Sequence, residues 1–138
     1  MADAQINDLA PVLQKIYAQW LQACATFDFK ARAIVTYRDA VSQNAAAAAG
    51  RSKATAGNSP HNVEDSQGNP ASLAFDFGVF DEGTYVMNGQ DPRYAQLGAL
   101  GKSLGLEWGG DWTLEKDGCE PDYDHLQIPH WRDVAATL

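Results

Sequence analysis

A single domain that mixes two amphipathic helices with a few short strands is what this sequence predicts, on three observations. The chain has 138 residues, 45% of them hydrophobic and 20% charged, which is the size and balance of one ordinary globular domain. Apolar residues recur at helical spacing near the N-terminus and again after Pro92. Short apolar runs suited to strands lie between and after these helices.

The first helix is expected over Ile6 to Phe27. Leu9, Val12, Leu13, Ile16, Trp20, Leu21 and Cys24 recur at helical spacing, and Pro11 falls in the opening turns, where proline is best tolerated. Ala31 to Thr36, with Ile34 and Val35, reads as a strand. Asp39 can cap a helix that runs through Gln43 and the alanines from Ala45 to Ala49, with Gly50 as its stop. Arg51 to Pro60 is rich in turn formers and reads as an exposed loop leading into His61. Val63 to Pro70 is a polar, turn-rich insert. Ser72 to Val79 looks like a mostly buried strand carrying Asp76. Phe80 to Asp91 reads as a loop with a short hairpin around Tyr85 to Met87. The second helix spans Pro92 to Leu104, with Tyr94, Leu97, Leu100 and Leu104 on one side and Gly105 at its end. Two glycines between Trp108 and Trp112 predict a tight turn whose backbone approaches something closely. After an acidic loop, Asp124 to Ile128 should be a strand bearing His125. The tail, Pro129 to Leu138, has room for one helical turn or two.

Charge narrows the partners. A net charge of -8 disfavours a broad nucleic-acid surface, and the ten basic residues form no stripe. A small or neutral ligand, or a peptide, is the better expectation. Cys24 and Cys119 make neither a disulfide framework nor a zinc pair; Cys24 reads as a buried apolar residue and Cys119 as a loop residue. Met1 to Ala4 carry no positive or apolar leader signal, and no apolar run approaches bilayer length. Synthesis in the cytoplasm without a signal peptide is therefore expected, with release by something else if the substrate lies outside.

The chemistry concentrates in two stretches, Ser59 to Phe77 and Pro121 to Gln127. His61, Asp76 and His125 form the inventory of a zinc site, in which three N/O ligands leave a fourth position open. Asp76, between Phe75 and Phe77 in an apolar strand, needs a partner, and a metal would supply one. Asp122, three residues before His125, is the candidate general base; Asp124, expected to point the other way on the strand, and Glu120 compete with it. The fork of Arg38 suits a substrate carboxylate or an oxyanion, or else a surface ion pair. Trp108 and Trp112 could wall a substrate groove or serve as core aromatics. His130 reads as a bystander. The Asp65 to Asn69 run lacks the alternating ligands and closing Glu of an EF-hand. Spacing alone leaves the metal site and a set of ordinary polar residues both open.

In combination these residues resemble the D-alanyl-D-alanine carboxypeptidase-like (VanY-like) zinc peptidases. Within that family they are most similar to the L-alanyl-D-glutamate endopeptidases of phage endolysins and bacterial cell-wall hydrolases. The resemblance rests on Ser59-Pro60-His61, Ala74-Phe75-Asp76 and Asp122-Tyr123-Asp124-His125. It extends to Tyr37-Arg38 with Gln43, to Gly50-Arg51, and to the block from Gly105 to Trp112, covering most of the chain up to Gln127. It implies an α+β fold, a small antiparallel sheet with helices packed against it, as in Hedgehog and D-Ala-D-Ala peptidases. It implies a zinc ion (Zn2+) held by His61, Asp76 and His125, with Asp122 as catalytic acid/base. Arg38 would bind and polarise the substrate carbonyl, and Ser59, Trp108 and Trp112 would contact substrate. Two departures stand out: the Val63 to Pro70 insert lengthens a loop the family keeps short, and Ser72 replaces its usual glycine, which bears on groove shape.

The expectation is a monomeric zinc metallopeptidase that hydrolyses a peptide bond in the stem peptide of peptidoglycan. It would be endolysin-like, without membrane insertion, and helped to the wall by a pore-forming, holin-type partner. The alternatives are a D-Ala-D-Ala carboxypeptidase or dipeptidase, and a non-catalytic zinc- or peptidoglycan-binding module.

Overall fold

Pro11 decides where the first helix starts. In the computed structural model, which describes residues 4–138, Ile6–Asp8 form a separate 3-10 turn and α1 spans Pro11–Cys24. Proline lacks an N–H and has a fixed φ, so it suits the first helical position and not one deeper in. The residues before it are held otherwise: Ala10 N–H donates to the Ser72 carbonyl at 2.9 Å, and Ser72 N–H donates to the Asp8 carbonyl at 2.8 Å. The continuous helix expected from Ile6 is thus shortened by a strand-like contact. Met1 to Asp3, on which the expectation about a leader partly rests, lie outside the described residues.

The remaining elements follow in order. Strand β1 covers Lys30–Val35 and α2 covers Ala40–Ala48. Asp39 caps α2 by accepting from Ser42 N–H at 2.7 Å, and Gly50 leaves it at φ 75°. A loop leads to a 3-10 turn at Pro60–Asn62. Strand β2 runs Ala74–Asp81 and turns directly into β3, Thr84–Tyr85. Glu82 and Gly83 both take positive φ, as a tight two-residue hairpin requires. The hairpin therefore lies ahead of the expected Tyr85 to Met87, and β2 continues past Val79. Helix α3 spans Pro92–Ser103, β4 is Glu107–Trp108, and a one-turn α4, Leu114–Asp117, interrupts the acidic loop. Strand β5 is His125–Gln127 and α5 is Trp131–Ala135.

The strands make one antiparallel sheet in the order β1-β2-β5-β4, with β3 paired to β2. Phe80 pairs with Lys30 of β1 and with Tyr85 of β3, so β3 lies on the same edge of β2 as β5. This is the α+β architecture expected, and period-two alternation along β2 gives the sheet two different faces.

One face is the core. Phe75, Phe77 and Val79 are fully buried against α1 and α3. Trp20 meets Phe75 edge-on at 5.3 Å and donates its indole N–H to the Leu97 carbonyl at 3.2 Å. Phe77 stacks on Tyr94 at 5.6 Å. Leu126 of β5 reaches Gly101 of α3, where a Cβ would stand 2.5 Å from it, so glycine sets the close approach of helix and sheet. Cys24 belongs to this core, and burial pushes its thiol up to about 12. Both cysteines are free. Among the described residues no helix is long and apolar enough to cross a membrane.

Candidate metal centre

Asp76, Phe75's neighbour, points to the other face. Its Cα partner across the sheet is His125, and the next partners on the same face are Ala74 and Gln127. The β2–β5 register alone therefore puts Asp76 beside His125. His61 arrives from the Pro60–Asn62 turn, which is built to present it. Ser59 Oγ accepts from His61 N–H at 3.2 Å, the Asn62 side chain returns to Ser59 N–H, and Pro60 occupies the first turn position. Arg38 N–H donates to the His61 carbonyl at 2.9 Å, and Asn62 Nδ2 donates to the Arg38 carbonyl at 2.9 Å. The turn is thus stitched to the segment after β1.

The three side chains converge. One ligand atom from each of His61, Asp76 and His125 lies within 4.8 Å of the others. Asp76 Oδ1 stands 3.2 Å from His61 Nε2 and 3.0 Å from His125 Nδ1. Both imidazoles are buried. Burial alone would raise the Asp76 pKa, but His61 and His125 outweigh it and hold the carboxyl well below the usual range. For His125 burial pulls the pKa down, and Asp76 with Asp122 more than reverses this, so it is raised.

The donor set fits a metal on chemical grounds. His61 Nδ1 lies 2.7 Å from the Thr36 carbonyl oxygen. A carbonyl only accepts, so Nδ1 carries the ring proton and Nε2 of the neutral ring offers a lone pair. That lone pair faces a carboxylate oxygen. Two acceptors at this distance require a proton or a cation between them. Two nitrogens and one carboxylate oxygen, with no sulfur, suit a zinc ion with a vacant fourth position.

The other expected site residues divide. Asp122 Oδ2 lies 4.0 Å from His125 Nδ1, and its side chain is 49% exposed. The carboxylate thus stands at the mouth of the site and is open to a ligand. The Gly109 backbone holds it there: Asp122 N–H donates to the Gly109 carbonyl at 2.9 Å, and a Cβ on Gly109 would stand 2.4 Å from the Asp122 carbonyl oxygen. This is the close approach expected between the tryptophans. Trp112 lies 5.2 Å from the His125 ring and donates to Glu107 Oε2 at 2.7 Å, so it walls the site. Trp108 does not. It packs on Gly98 of α3 and donates to the Tyr123 carbonyl at 2.8 Å, as a core aromatic does. Arg38 is half-buried, its Nη1 3.2 Å from Gln43 Oε1. Gln43 is itself fully buried and anchors the following loop through Ser52 Oγ and the Ala54 carbonyl. Ser59 is buried, with its hydroxyl oxygen accepting from His61 N–H. His130 begins α5, and no hydrogen bond joins it to the triad among the described residues.

Asp124 corrects the expectation that it points away. It precedes β5 in a turn, so strand alternation does not govern it, and an oxygen of its carboxyl joins a cluster with Asp76 and Asp122. Burial first, then the charges of Asp76 and Asp122, pushes its pKa up to about 10. Asp124 therefore ionises less readily than a free carboxyl, and it lies beside Asp122. Beside this pair lies a cleft of about 230 Å³ lined by Tyr85, Met87, Tyr94 and Tyr123 with the two carboxyl groups. Its walls come from the end of β3 and the segment after it, from α3, and from the segment that leads into β5.

The two departures leave the triad intact. The insert closes on itself: Glu64 bridges to Pro70, Asp65 accepts from Gln67 and Asn69 N–H at 2.9 Å, and Ala71 N–H returns to the Val63 carbonyl. That carboxylate binds backbone, in line with discounting a calcium loop. Ser72 is fully buried, its hydroxyl 2.7 Å from the Ala74 carbonyl, so it braces the backbone and does not line the cleft. Sequence reasoning missed Thr36 and Gln127, the partners of the two histidines. A backbone carbonyl leaves no signal in a sequence. Gln127 did leave one, since two residues after His125 in a strand is the same face.

No family model and no curated protein matches the chain. Among solved structures it is similar to the L-Ala D-Glu endopeptidase ChiX of Serratia marcescens. The two share 20% sequence identity and a TM-score of 0.67, over 94% of this chain and 86% of that one. That likeness establishes the fold, a small antiparallel sheet with packed helices of the kind that endopeptidase has.

Proposed function

We propose that this protein is a zinc peptidase that cleaves the stem peptide of peptidoglycan, as an L-Ala-D-Glu endopeptidase. The observation that carries the reading is the lone-pair contact of His61 Nε2 with Asp76 Oδ1 at 3.2 Å, completed by His125 Nδ1 at 3.0 Å. The fold shared with the L-Ala D-Glu endopeptidase ChiX supports the choice of substrate.

His61 Nε2, Asp76 Oδ1 and His125 Nδ1 would hold the ion. Zinc in such a site supplies Lewis acidity toward a carbonyl and a nucleophile at neutral pH. Asp122, half exposed at the mouth, accepts the proton released on attack and returns it to the leaving amine. Asp124 lies beside that carboxylate in the same cluster. Arg38, braced by Gln43, neutralises charge that develops on the scissile carbonyl oxygen. Trp112 keeps one wall of the site apolar. In this reading the enzyme works outside the membrane after release by a pore-forming partner.

Digestion of purified peptidoglycan, with and without a chelator, tests this. Chelator-sensitive release of fragments with a new L-Ala carboxyl is expected. Fragments lacking only D-Ala would replace the endopeptidase with a carboxypeptidase. Zinc binding without any cleavage would point to a binding module.

A further inference from the structure

The structure assigns Gln127 a role that no sequence motif gave it: we propose that it is the positioning residue that fixes which nitrogen of His125 is offered to a metal. The inference rests on the zinc reading above and concerns how the site is kept competent.

The two histidines meet Asp76 through different nitrogens. His61 presents Nε2 and His125 presents Nδ1. A neutral imidazole has one N–H, and its place determines which nitrogen can ligate. His61 is fixed by the Thr36 carbonyl at 2.7 Å on Nδ1. His125 needs the opposite tautomer, with the proton on Nε2. The group at Nε2 is Gln127 Oε1, at 2.8 Å. This acceptor holds the proton on the far side of the ring and leaves the Nδ1 lone pair aimed at the triad. Without it, the nearest acceptor for the His125 proton is Asp76 Oδ1 at 3.0 Å, and a proton there blocks the ligating nitrogen.

The placement of Gln127 is rigid. It sits in β5 on the same face as His125, opposite Ala74 of β2 and Glu107 of β4. Its side chain is buried, so water does not compete for Nε2. The hydrogen bond also fixes the plane of a ring that Trp112 covers from another side. A partner on the non-ligating nitrogen is a common way to set tautomer and raise basicity, and its loss typically weakens metal affinity 10–100-fold.

Zinc affinity, measured by competition with a chromophoric chelator, tests this in wild type, Gln127→Met and Gln127→Glu. Met keeps the volume and removes the acceptor; Glu keeps the acceptor. Gln127→Met should bind zinc roughly 10–100-fold more weakly, and Gln127→Glu as tightly as wild type or more so. Thermal melts of the metal-free proteins check that both variants fold. Wild-type affinity in Gln127→Met overturns the proposal. If Gln127→Met fails to fold, Gln127→Glu decides alone, because weakened binding there would mean that accepting from Nε2 is not what counts. Wild-type protein that binds no zinc would instead overturn the underlying zinc reading, and the role of Gln127 with it.

Discussion

The two faces of β2 are built from alternate residues of one strand, yet they do opposite work. Phe75, Phe77 and Val79 face the helices and are wholly buried among aromatic and aliphatic side chains. Asp76, between two of them, faces two imidazoles and is partly open. The first face gains stability from apolar area removed from water. The second gathers nitrogen and oxygen acceptors that need a proton or a cation between them. Alternation lets a single strand do both, because the core face fixes the backbone to which the site face is attached. The core should therefore be damaged by volume changes and the site by chemical changes that leave volume alone.

The largest effect should come from breaking the core. Trp20→Ala removes a fully buried indole and its hydrogen bond to Leu97. A loss of about 3–5 kcal/mol is expected, read as a fall in Tm in a thermal melt, and metal binding should fail only as the protein unfolds. Asp76→Asn sharpens the contrast, since it keeps shape and alters chemistry. The metal-free variant should still fold, with a lowered Tm because the carboxylate paired with both imidazoles is gone. It should lose the zinc-dependent rise in Tm, which for wild type at a hundredfold excess over Kd corresponds to about 2.7 kcal/mol. Asp122→Asn separates binding from turnover at the mouth of the site. Zinc should still raise its Tm, while peptide hydrolysis falls roughly 10²–10⁴-fold.

The smallest effect lies outside both faces. Asp91 caps α3 and pairs with Arg93 at 2.9 Å, and the Arg93 hydrogen bonds hold its carboxyl down at about 2, against 3.8 for the free group. A carboxyl lowered in the folded state contributes stability above its unfolded pKa, and that contribution is lost as pH falls through the folded value. Acid titration of stability should therefore be shallower in Asp91→Asn than in wild type between about pH 4 and 2, with no difference in slope near neutrality.

How much of this was legible in the sequence differs between the same two faces. The core side was readable because helical periodicity and apolar runs report burial directly; Trp20, Leu97 and Phe75 all lie where the pattern puts them. The limits of elements were less so. Pro11 starts α1 because Leu9 and Ala10 are engaged by Ser72, a contact that sequence spacing does not encode. On the site side, residue types and a family resemblance nominated His61, Asp76 and His125; the β2–β5 register brought the last two together, and the Pro60–Asn62 turn brought His61 to them. Asp124 was misjudged because alternation was applied one residue before the strand begins. Trp108 and Trp112 look equivalent in sequence, but the turn at Gly109–Asp111 sends one into the core and the other over His125. The Thr36 carbonyl is backbone, so only folding could reveal it.

The central claim is that the polar face of β2 is a zinc site. Calorimetric titration of zinc into metal-free protein, alongside Asp76→Asn, addresses it most directly. One zinc per chain in wild type and none in the variant is the predicted result. A wild type that takes up no zinc, or a variant that binds it equally well, would contradict the account.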